Sequence, residues 1–146
     1  MREVPGYKLL DWPFKDYKYI SDLIDFDGPV LVHYMTDDAS HHALYYWVES
    51  NEKYNRWLCF GVTGKELYNY IHNSISLFEL IERKKQESFY TVDIDKDLIY
   101  SNFHLIKGYA IPDEYYPDVN SYYLDEITPY YNDLFEVLIK KESRHS

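Results

Sequence analysis

Alternating carboxylates at residues 93–97 have the spacing with which a calcium loop begins. Asp93, Asp95 and Asp97 would offer oxygen ligands at its first, third and fifth positions. Such a loop also needs glycine at its sixth position and a bidentate glutamate at its twelfth, where this chain has Leu98 and His104. The segment therefore predicts a charged turn between two strands and no calcium site.

A second set of possible metal ligands lies at the tip of a predicted hairpin. Asp37 and Asp38 supply carboxylates there, and His41 and His42 supply imidazoles. Adjacent residues at the start of a strand point to opposite faces of the sheet, so the two histidines do not turn toward one ion. We interpret this tip as a solvated turn and predict no metal.

Three further histidines are the remaining candidates for acid–base chemistry. His33, His72 and His104 are far apart in sequence and could converge with a carboxylate in the fold. No serine or cysteine stands in a nucleophile motif beside them, and the five glycines are not clustered into a phosphate-binding loop. Scattered histidines are more often partly buried side chains with satisfied hydrogen bonds. We therefore predict that the protein is not an enzyme and binds no cofactor.

Acidic and aromatic residues are interleaved in residues 113–126. This composition suits a surface that holds a basic protein partner through tyrosine anchors surrounded by carboxylates. The sequence leaves open the alternative that the tyrosines pack this loop onto its own sheet. The predicted partner-binding residues are Asp113, Glu114, Tyr115, Tyr116, Asp118, Tyr122, Tyr123, Asp125 and Glu126.

The charge of the whole chain narrows the class of partner. The 146 residues include 18 tyrosines and carry a formal net charge of −10. This charge repels phosphate backbones, so it disfavours direct binding to nucleic acid or to anionic membranes and favours a basic protein partner. The alternative is that the acidity only keeps the protein soluble.

The single cysteine and the N-terminus indicate the compartment. Cys59 lies in a predicted strand without residues that would activate its thiol, which predicts a buried apolar role. One cysteine excludes an internal disulfide and a multi-cysteine zinc site, which fits a reducing compartment. The N-terminal residues lack the apolar run of a signal peptide, and no segment is long enough to span a bilayer. We therefore expect a cytoplasmic protein that does not enter membranes.

A sheet predicted around residues 28–63 must position these side chains. Residues 29–36, 43–49 and 57–62 alternate with the period of a strand, and the short polar turns between them favour antiparallel hairpins. Residues 17–26 fit both a helix and a strand that enters a turn, and we prefer the strand. Residues 89–94 predict a further strand, and the segments 98–106 and 7–10 are weaker candidates.

Helix signals follow the predicted strands. Residues 63–66 and 76–79 each have the form of a capping box, which predicts two short helices joined at residues 73–75. Thr128 and Pro129 supply the cap and first-turn proline of a terminal helix that ends near Lys140.

Together these elements predict one α+β domain over residues 1–146. It has an antiparallel sheet of about five strands, two short helices after the central strands and a C-terminal helix. We expect an irregular lead-in at 1–16, a long loop rich in tyrosine and aspartate at 107–126, and a frayed tail at 142–146.

Two short motifs resemble those of a family of bacterial domains of unknown function. Residues 25–31 (DFDGPVL) are similar to that family's strand start of the DGPLL type, and residues 75–81 (ISLFELI) to its helix start of the ISL type. The resemblance covers about residues 20–125. It implies a bacterial or phage setting and implies no catalytic activity.

These observations predict a small acidic protein-binding module. Its expected class is an immunity, antitoxin or defence-associated accessory protein that occupies a basic surface on a partner. One alternative is a phage-type inhibitor that mimics nucleic acid, and another is a small-molecule sensor or enzyme with a pocket between sheet and helices. The oligomeric state stays open.

Overall fold

The computed structural model of the protein describes residues 12–26 and 28–145. Within these residues, six antiparallel strands form one sheet in the order β1-β2-β3-β4-β5-β6. The strands are β1 (Lys18–Asp25), β2 (Pro29–Met35), β3 (His42–Ser50), β4 (Tyr54–Val62), β5 (Ser88–Asp95) and β6 (Tyr100–Lys107). The α+β class and the meander are confirmed. The expected count of about five strands is one too low because the weaker candidate at residues 98–106 also forms a strand, at Tyr100–Lys107. The weaker candidate at 7–10 lies outside the described residues.

Bulges in β1 explain why residues 17–26 also fit a helix. The pairing of β1 with β2 skips from Tyr19 to Ser21 and from Asp22 to Ile24, so Ile20 and Leu23 are extra residues. Each extra residue shifts the apolar positions out of the period of two. The preference for a strand is therefore confirmed, although its apolar spacing imitates that of a helix.

The other edge strand, β6, is also irregular. Its register with β5 shifts between Thr91 and Asp93, and Asn102 on β6 has a positive φ of 51°. Bulged edges twist the backbone away from straight pairing, and natural sheets use them to discourage edge-to-edge association. Both edges of this sheet therefore have a feature that opposes the addition of another strand.

Both predicted capping boxes are present. Helices α1 (Gly64–Ile71) and α2 (Leu77–Glu82) lie between β4 and β5, and α3 (Pro129–His145) ends the fold. The Thr63 hydroxyl accepts a hydrogen bond from the Glu66 amide at 3.1 Å, and the Glu66 carboxylate accepts one from the Thr63 amide at 2.8 Å. The helix α3 extends beyond the expected end near Lys140.

The main core lies between the helices and one face of the sheet. Leu31, Leu44 and Leu58 project from neighbouring strands and are completely buried. They pack with residues of all three helices, among which Leu67, Leu80 and Phe135 are buried. The apolar faces of the helices and the apolar face of the strands thus pack together in one layer.

An aromatic segment covers the opposite face of the sheet. Residues 13–16 form a turn, and the Trp12 ring before it lies buried against that face. The Trp12 indole donates a hydrogen bond of 3.0 Å to the Tyr45 hydroxyl. A second core forms here, and its members include Phe14, Val32, Tyr34, Trp57, Val92 and Tyr100. Both faces of the central strands are therefore buried, which the sequence alone left open.

The predicted long loop leaves β6 through a close backbone crossing. Gly108 donates its amide hydrogen to the carbonyl of Glu87 at 2.9 Å. A Cβ atom at Gly108 would lie 2.5 Å from the Lys84 carbonyl oxygen and 2.6 Å from the Lys85 Cα atom. Because both contacts are to backbone, only glycine fits, and the crossing fixes where the loop begins.

Candidate functional site

The predicted partner-binding loop is attached to the sheet through Tyr115. This residue lies in a single 3-10 turn, Asp113–Tyr115. Its hydroxyl accepts a hydrogen bond from Arg56 Nη1 at 3.4 Å and donates one to Glu49 Oε2 at 3.3 Å. The first half of the loop is therefore held by side chains of β3 and β4.

Arg56 is itself held by a buried carboxylate. Its Nε and Nη2 atoms donate to the two oxygens of Asp93 at 2.8 and 3.2 Å, and its Nη1 donates to Glu49 at 2.9 Å. Asp93 is completely buried and also accepts a hydrogen bond from Asn102 at 2.7 Å. The hydrogen bonds that Arg56 donates to Asp93 raise the pKa of Arg56 above its usual range. A two-pronged pair of this kind is strong and fixes the guanidinium plane.

The turn after Asp93 matches the expectation of a charged turn. Asp95 accepts hydrogen bonds from the backbone amides of Asp97 and Ile99 at 2.9 and 3.0 Å. Asp93 instead points to Arg56 across the sheet. The carboxylates at 93–97 are thus used for an ion pair and a turn.

The second attachment of the loop is at the N-terminus of α2. The amide of Leu77 donates to the Ser121 carbonyl at 2.8 Å, and the amide of Phe78 donates to the Ser121 hydroxyl at 3.0 Å. The first amides of a helix have no partner within the helix. Ser121 supplies two of those partners from a distant part of the chain.

Replacing Ser121 with alanine tests this attachment. The Phe78 amide would lose its acceptor, so we expect the free energy of unfolding to fall by about 1 kcal/mol, as for the loss of a helix cap. Urea denaturation and hydrogen exchange at the Phe78 amide measure the effect. Ser74→Ala, at an exposed position of the same helical region, serves as the control. Unchanged exchange at Phe78 would show that the Ser121 hydroxyl does not protect this amide.

Aromatic packing provides the third attachment. Tyr123 is buried, and its ring centroid lies 5.7 Å from that of Tyr70 on α1. Tyr116 is half-buried, with its centroid 5.5 Å from that of Phe78 on α2. Burial raises the pKa of both loop tyrosines.

The nine predicted partner-binding residues therefore divide into two groups. Tyr123 is buried and Tyr115 and Tyr116 are half-buried, so these three pack the loop onto its own domain. Sequence reasoning left this alternative open and missed two exposed apolar residues, Val119 and Leu124, which are 59% and 90% exposed. We call eight exposed acidic, apolar and tyrosine residues of the loop the acidic loop surface, namely Asp113, Glu114, Asp118, Val119, Tyr122, Leu124, Asp125 and Glu126. Its role in binding stays a prediction.

The sequence segment that contains this surface carries charge of one sign. Residues 108–139 contain no lysine, arginine or histidine. They contain seven carboxylates, at Asp113, Glu114, Asp118, Asp125, Glu126, Asp133 and Glu136. Exposed charges within about a Debye length add to one local field. The sequence segment that contains the acidic loop surface thus contributes no positively charged side chain.

A buried histidine pair lies on the helix-covered face of the sheet. The His33 Nε2 atom is 3.0 Å from His42 Nδ1, and its Nδ1 atom is 2.9 Å from the Tyr131 hydroxyl of α3. Ser21 of β1 lies 2.5 Å from that hydroxyl. Burial, followed by the neighbouring His42, lowers the pKa of His33 to about 3. Burial also lowers the pKa of His42, so both imidazoles are neutral at pH 7.

The other potentially reactive residues are placed apart from this pair. His72 stacks on Tyr68 with 3.9 Å between ring centroids, and His104 is exposed on β6. Cys59 is completely buried, and burial raises the pKa of its thiol, which confirms its predicted apolar role. At the hairpin tip His41 is exposed and His42 is buried.

In the part of the chain that the structure describes, no group of three or more potential ligands could hold a metal ion. No family model, curated protein or solved structure matches this chain. The resemblance to the bacterial domain family therefore stays a prediction. None of the described helices combines the length and the apolar character needed to cross a membrane.

Proposed function

We propose that the protein is a small acidic binding module that occupies a basic surface on a protein partner. Its class would be an immunity, antitoxin or defence-associated accessory protein, acting by occupancy and not by catalysis. The observation that carries this proposal is the acidic loop surface, which is attached at three points and still exposes its acids and apolar side chains.

The attachments matter because binding costs less when a surface is already ordered. A free loop loses conformational entropy when it binds, and that loss subtracts from affinity. Here Tyr115, Ser121 and Tyr123 order the loop during folding. The exposed residues between them are therefore presented in a fixed arrangement.

Apolar and acidic groups would have separate tasks in this interface. Leu124 and Tyr122, 90% and 37% exposed, can be desolvated at its centre, where most binding energy is concentrated. The surrounding carboxylates would steer a basic partner toward the surface and exclude acidic proteins.

The test uses single exposed residues, so that the fold stays intact. The tagged protein is first used to isolate a stoichiometric partner from host lysate, and affinity is then measured by calorimetry. Leu124→Ser and Glu126→Lys are expected to weaken binding at least about tenfold. Leu105→Ser on β6 and Glu52→Lys in the β3–β4 turn repeat these changes at exposed positions elsewhere. Equal affinity for all four variants would contradict the assignment of the surface.

Salt separates this proposal from mimicry of nucleic acid, the second candidate. Mimicry relies on many carboxylates that replace phosphates, so affinity would fall steeply with salt and depend little on Leu124. The seven carboxylates of residues 108–139, a stretch of the sequence without lysine, arginine or histidine, are the observation that favours it. A salt-tolerant complex that needs Leu124 would support the packed interface instead.

A further inference from the structure

Helix α3 lies against the buried histidine pair. The hydroxyl of Tyr131, near the start of this helix, is 2.9 Å from His33 Nδ1 and 2.5 Å from the Ser21 hydroxyl of β1. The ring centroids of Tyr131 and His33 are 5.7 Å apart, and both side chains are buried. The pair is therefore joined by a hydrogen bond to the helix that covers this part of the sheet.

His42 has one ring nitrogen without a hydrogen bond. Its Nδ1 atom is taken up by His33, whereas Nε2 is buried and has no partner within the described residues. The backbone of Ala39 lies near enough to raise the pKa of His42, but burial lowers that pKa by more, and no hydrogen bond to Nε2 forms. A buried polar atom without a partner destabilises the state that buries it, and hydration removes that cost.

A groove reaches the border between α3 and this pair. The groove has a volume of about 1120 Å³, and its lining includes His42 on β3, Val62 on β4 and Leu138 on α3. His42 and Val62 are directly paired across the two strands, so their side chains lie on the same face of the sheet. A displacement of α3 at this border would expose the pair to water.

Most of the domain can stay packed when α3 moves. All six strands and the helices α1 and α2 precede α3 in the chain. The buried side chains of α3 are Tyr131, Leu134 and Phe135, which belong to the main core. The described members of the second core, on the opposite face of the sheet, include no residue of α3. Elements with few buried side chains open at a lower free energy than the whole domain.

The imidazoles are the groups at this contact that change charge between neutral and mildly acidic pH. Within the described chain, no carboxylate is among the groups that shift the pKa values of the pair or of Tyr131. His72 of α1 also faces α3, with its ring centroid 5.5 Å from that of Phe135. The carboxylates of Asp133 and Glu136 on α3 are exposed. The other titratable groups that act on the pair or on Tyr131 are His41, Tyr19, Tyr123 and Tyr130.

We propose that α3 is a proton-linked cover, which separates from the sheet in acid before the rest of the domain unfolds. A proton on the pair is unfavourable while α3 is in place, because the charge would be buried and a second charge would lie 3.0 Å away. Separation of α3 hydrates both rings and lets them bind protons. This device does not depend on the acidic loop surface or on its proposed partner.

The expected size of the response follows from proton linkage. Burial and the neighbouring His42 hold the pKa of His33 at about 3 when α3 is closed, against an ordinary value of 6.5 once the ring is hydrated. The open state therefore binds more protons below pH 6.5. For His33 alone, the ratio of open to closed molecules rises roughly 70-fold from pH 7 to pH 4.5. The lowered pKa of His42 acts in the same direction.

Native-state hydrogen exchange of the full chain, followed by NMR at several pH values and low urea concentrations, tests the proposal. A short helix without tertiary contacts is only marginally stable, so a detached α3 exposes its amides. After correction for intrinsic exchange rates, we expect the protection of the Leu134 and Phe135 amides to fall at least about 70-fold from pH 7 to pH 4.5. Their protection should depend less on urea than that of the Leu58 amide in β4, because a local opening exposes less surface than global unfolding.

Three variants separate the causes, and each is compared with itself at two pH values. His33→Asn should reduce the pH dependence of protection in α3 by about one proton, whereas His104→Asn, at an exposed position of β6, should change it less. Tyr131→Phe keeps the ring but removes the hydroxyl that contacts His33 and Ser21. It should lower protection in α3 at pH 7 at least about fivefold and keep the pH dependence.

Three results would overturn the proposal. Equal urea dependence for the α3 amides and for Leu58 would show that α3 opens only when the whole domain unfolds. Protection in α3 that does not change with pH would show that its opening leaves the pair buried. A pH dependence as steep in His33→Asn as in the natural protein would show that other groups take up the protons.

Discussion

Replacing Arg56 with methionine is expected to lower the free energy of unfolding by about 3 kcal/mol. The change keeps an apolar stem but leaves the completely buried Asp93 without its cation. Breaking a buried pair by removing one partner costs about 3–5 kcal/mol, and we expect the lower end because the Arg56 side chain is 28% exposed. Urea denaturation of the two proteins measures the difference.

A double variant shows whether the cost comes from the unpaired carboxylate. Arg56→Met together with Asp93→Leu removes both charges, and it is expected to be more stable than Arg56→Met alone because an apolar pair leaves no buried charge. Lys18→Met, which breaks the exposed pair with Asp37, serves as the control. Its expected effect is below about 1 kcal/mol, as for surface pairs in general. A loss equal to that of Arg56→Met would contradict the argument from burial.

Arg56 also connects this ion pair to the predicted binding loop. Because Arg56 donates to Tyr115, its loss would free the first attachment of the acidic loop surface. In Arg56→Met we expect faster hydrogen exchange at the amides of the Asp113–Tyr115 turn. Ser121 would still hold the second half of the loop, so its exchange is expected to change less.

Elements defined by local sequence were predicted well. Each capping box joins residues three apart, Thr63 with Glu66 and Ser76 with Glu79, so the sequence alone contains both partners. The meander follows from short polar turns between alternating segments for the same reason. The strand count failed at residues 98–106, where the positive φ at Asn102 accompanies a register shift that disturbs the alternation.

Contacts between distant residues explain what the sequence could not predict. Arg56 and Asp93 are 37 positions apart in the sequence. Ser121 is 43 positions from Phe78, whose amide donates a hydrogen bond to it. No local pattern indicates such pairs. The sequence identified the tyrosine-rich loop, but burial of Tyr123 depends on Tyr70 of α1, which only the folded chain brings near. Nothing in the sequence distinguishes Leu124 from a core leucine, but in the fold it is exposed.

The histidine pair makes stability depend strongly on pH. In the folded protein burial and His42 lower the pKa of His33 from 6.5 to about 3. Unfolding exposes the imidazole, which then binds a proton near its ordinary pKa. The unfolded state therefore takes up more protons than the native state below pH 6.5, and acid favours unfolding. The stabilising effect of the neutral pair is fully present above pH 6.5 and is lost as the pH falls toward 3.

The size of this effect follows from the linkage relation. One proton taken up on unfolding changes the free energy by about 1.4 kcal/mol for each pH unit. His33 alone is therefore expected to lower the stability by roughly 2.5 kcal/mol between pH 7 and pH 4.5. The lowered pKa of His42 acts in the same direction. Protonation would also change the hydrogen bonding between His33 and the Tyr131 hydroxyl, which connects α3 to the sheet.

Urea denaturation at several pH values, with His33→Asn and His41→Asn as matched variants, tests this dependence. His33→Asn removes the buried imidazole. The slope of the free energy of unfolding against pH, between pH 6 and 4.5, should therefore decrease by the amount that corresponds to about one proton taken up on unfolding. This holds whatever the stability of the variant at pH 7. His41 is exposed in the neighbouring turn and lies outside the buried pair, so its replacement is expected to change the slope less than His33→Asn does. NMR titration of the His33 Cε1 proton should show a neutral ring down to pH 4.5 in the folded protein. A His33 that titrates near pH 6.5, or equal slopes for the two variants, would show that the buried pair does not set the acid sensitivity.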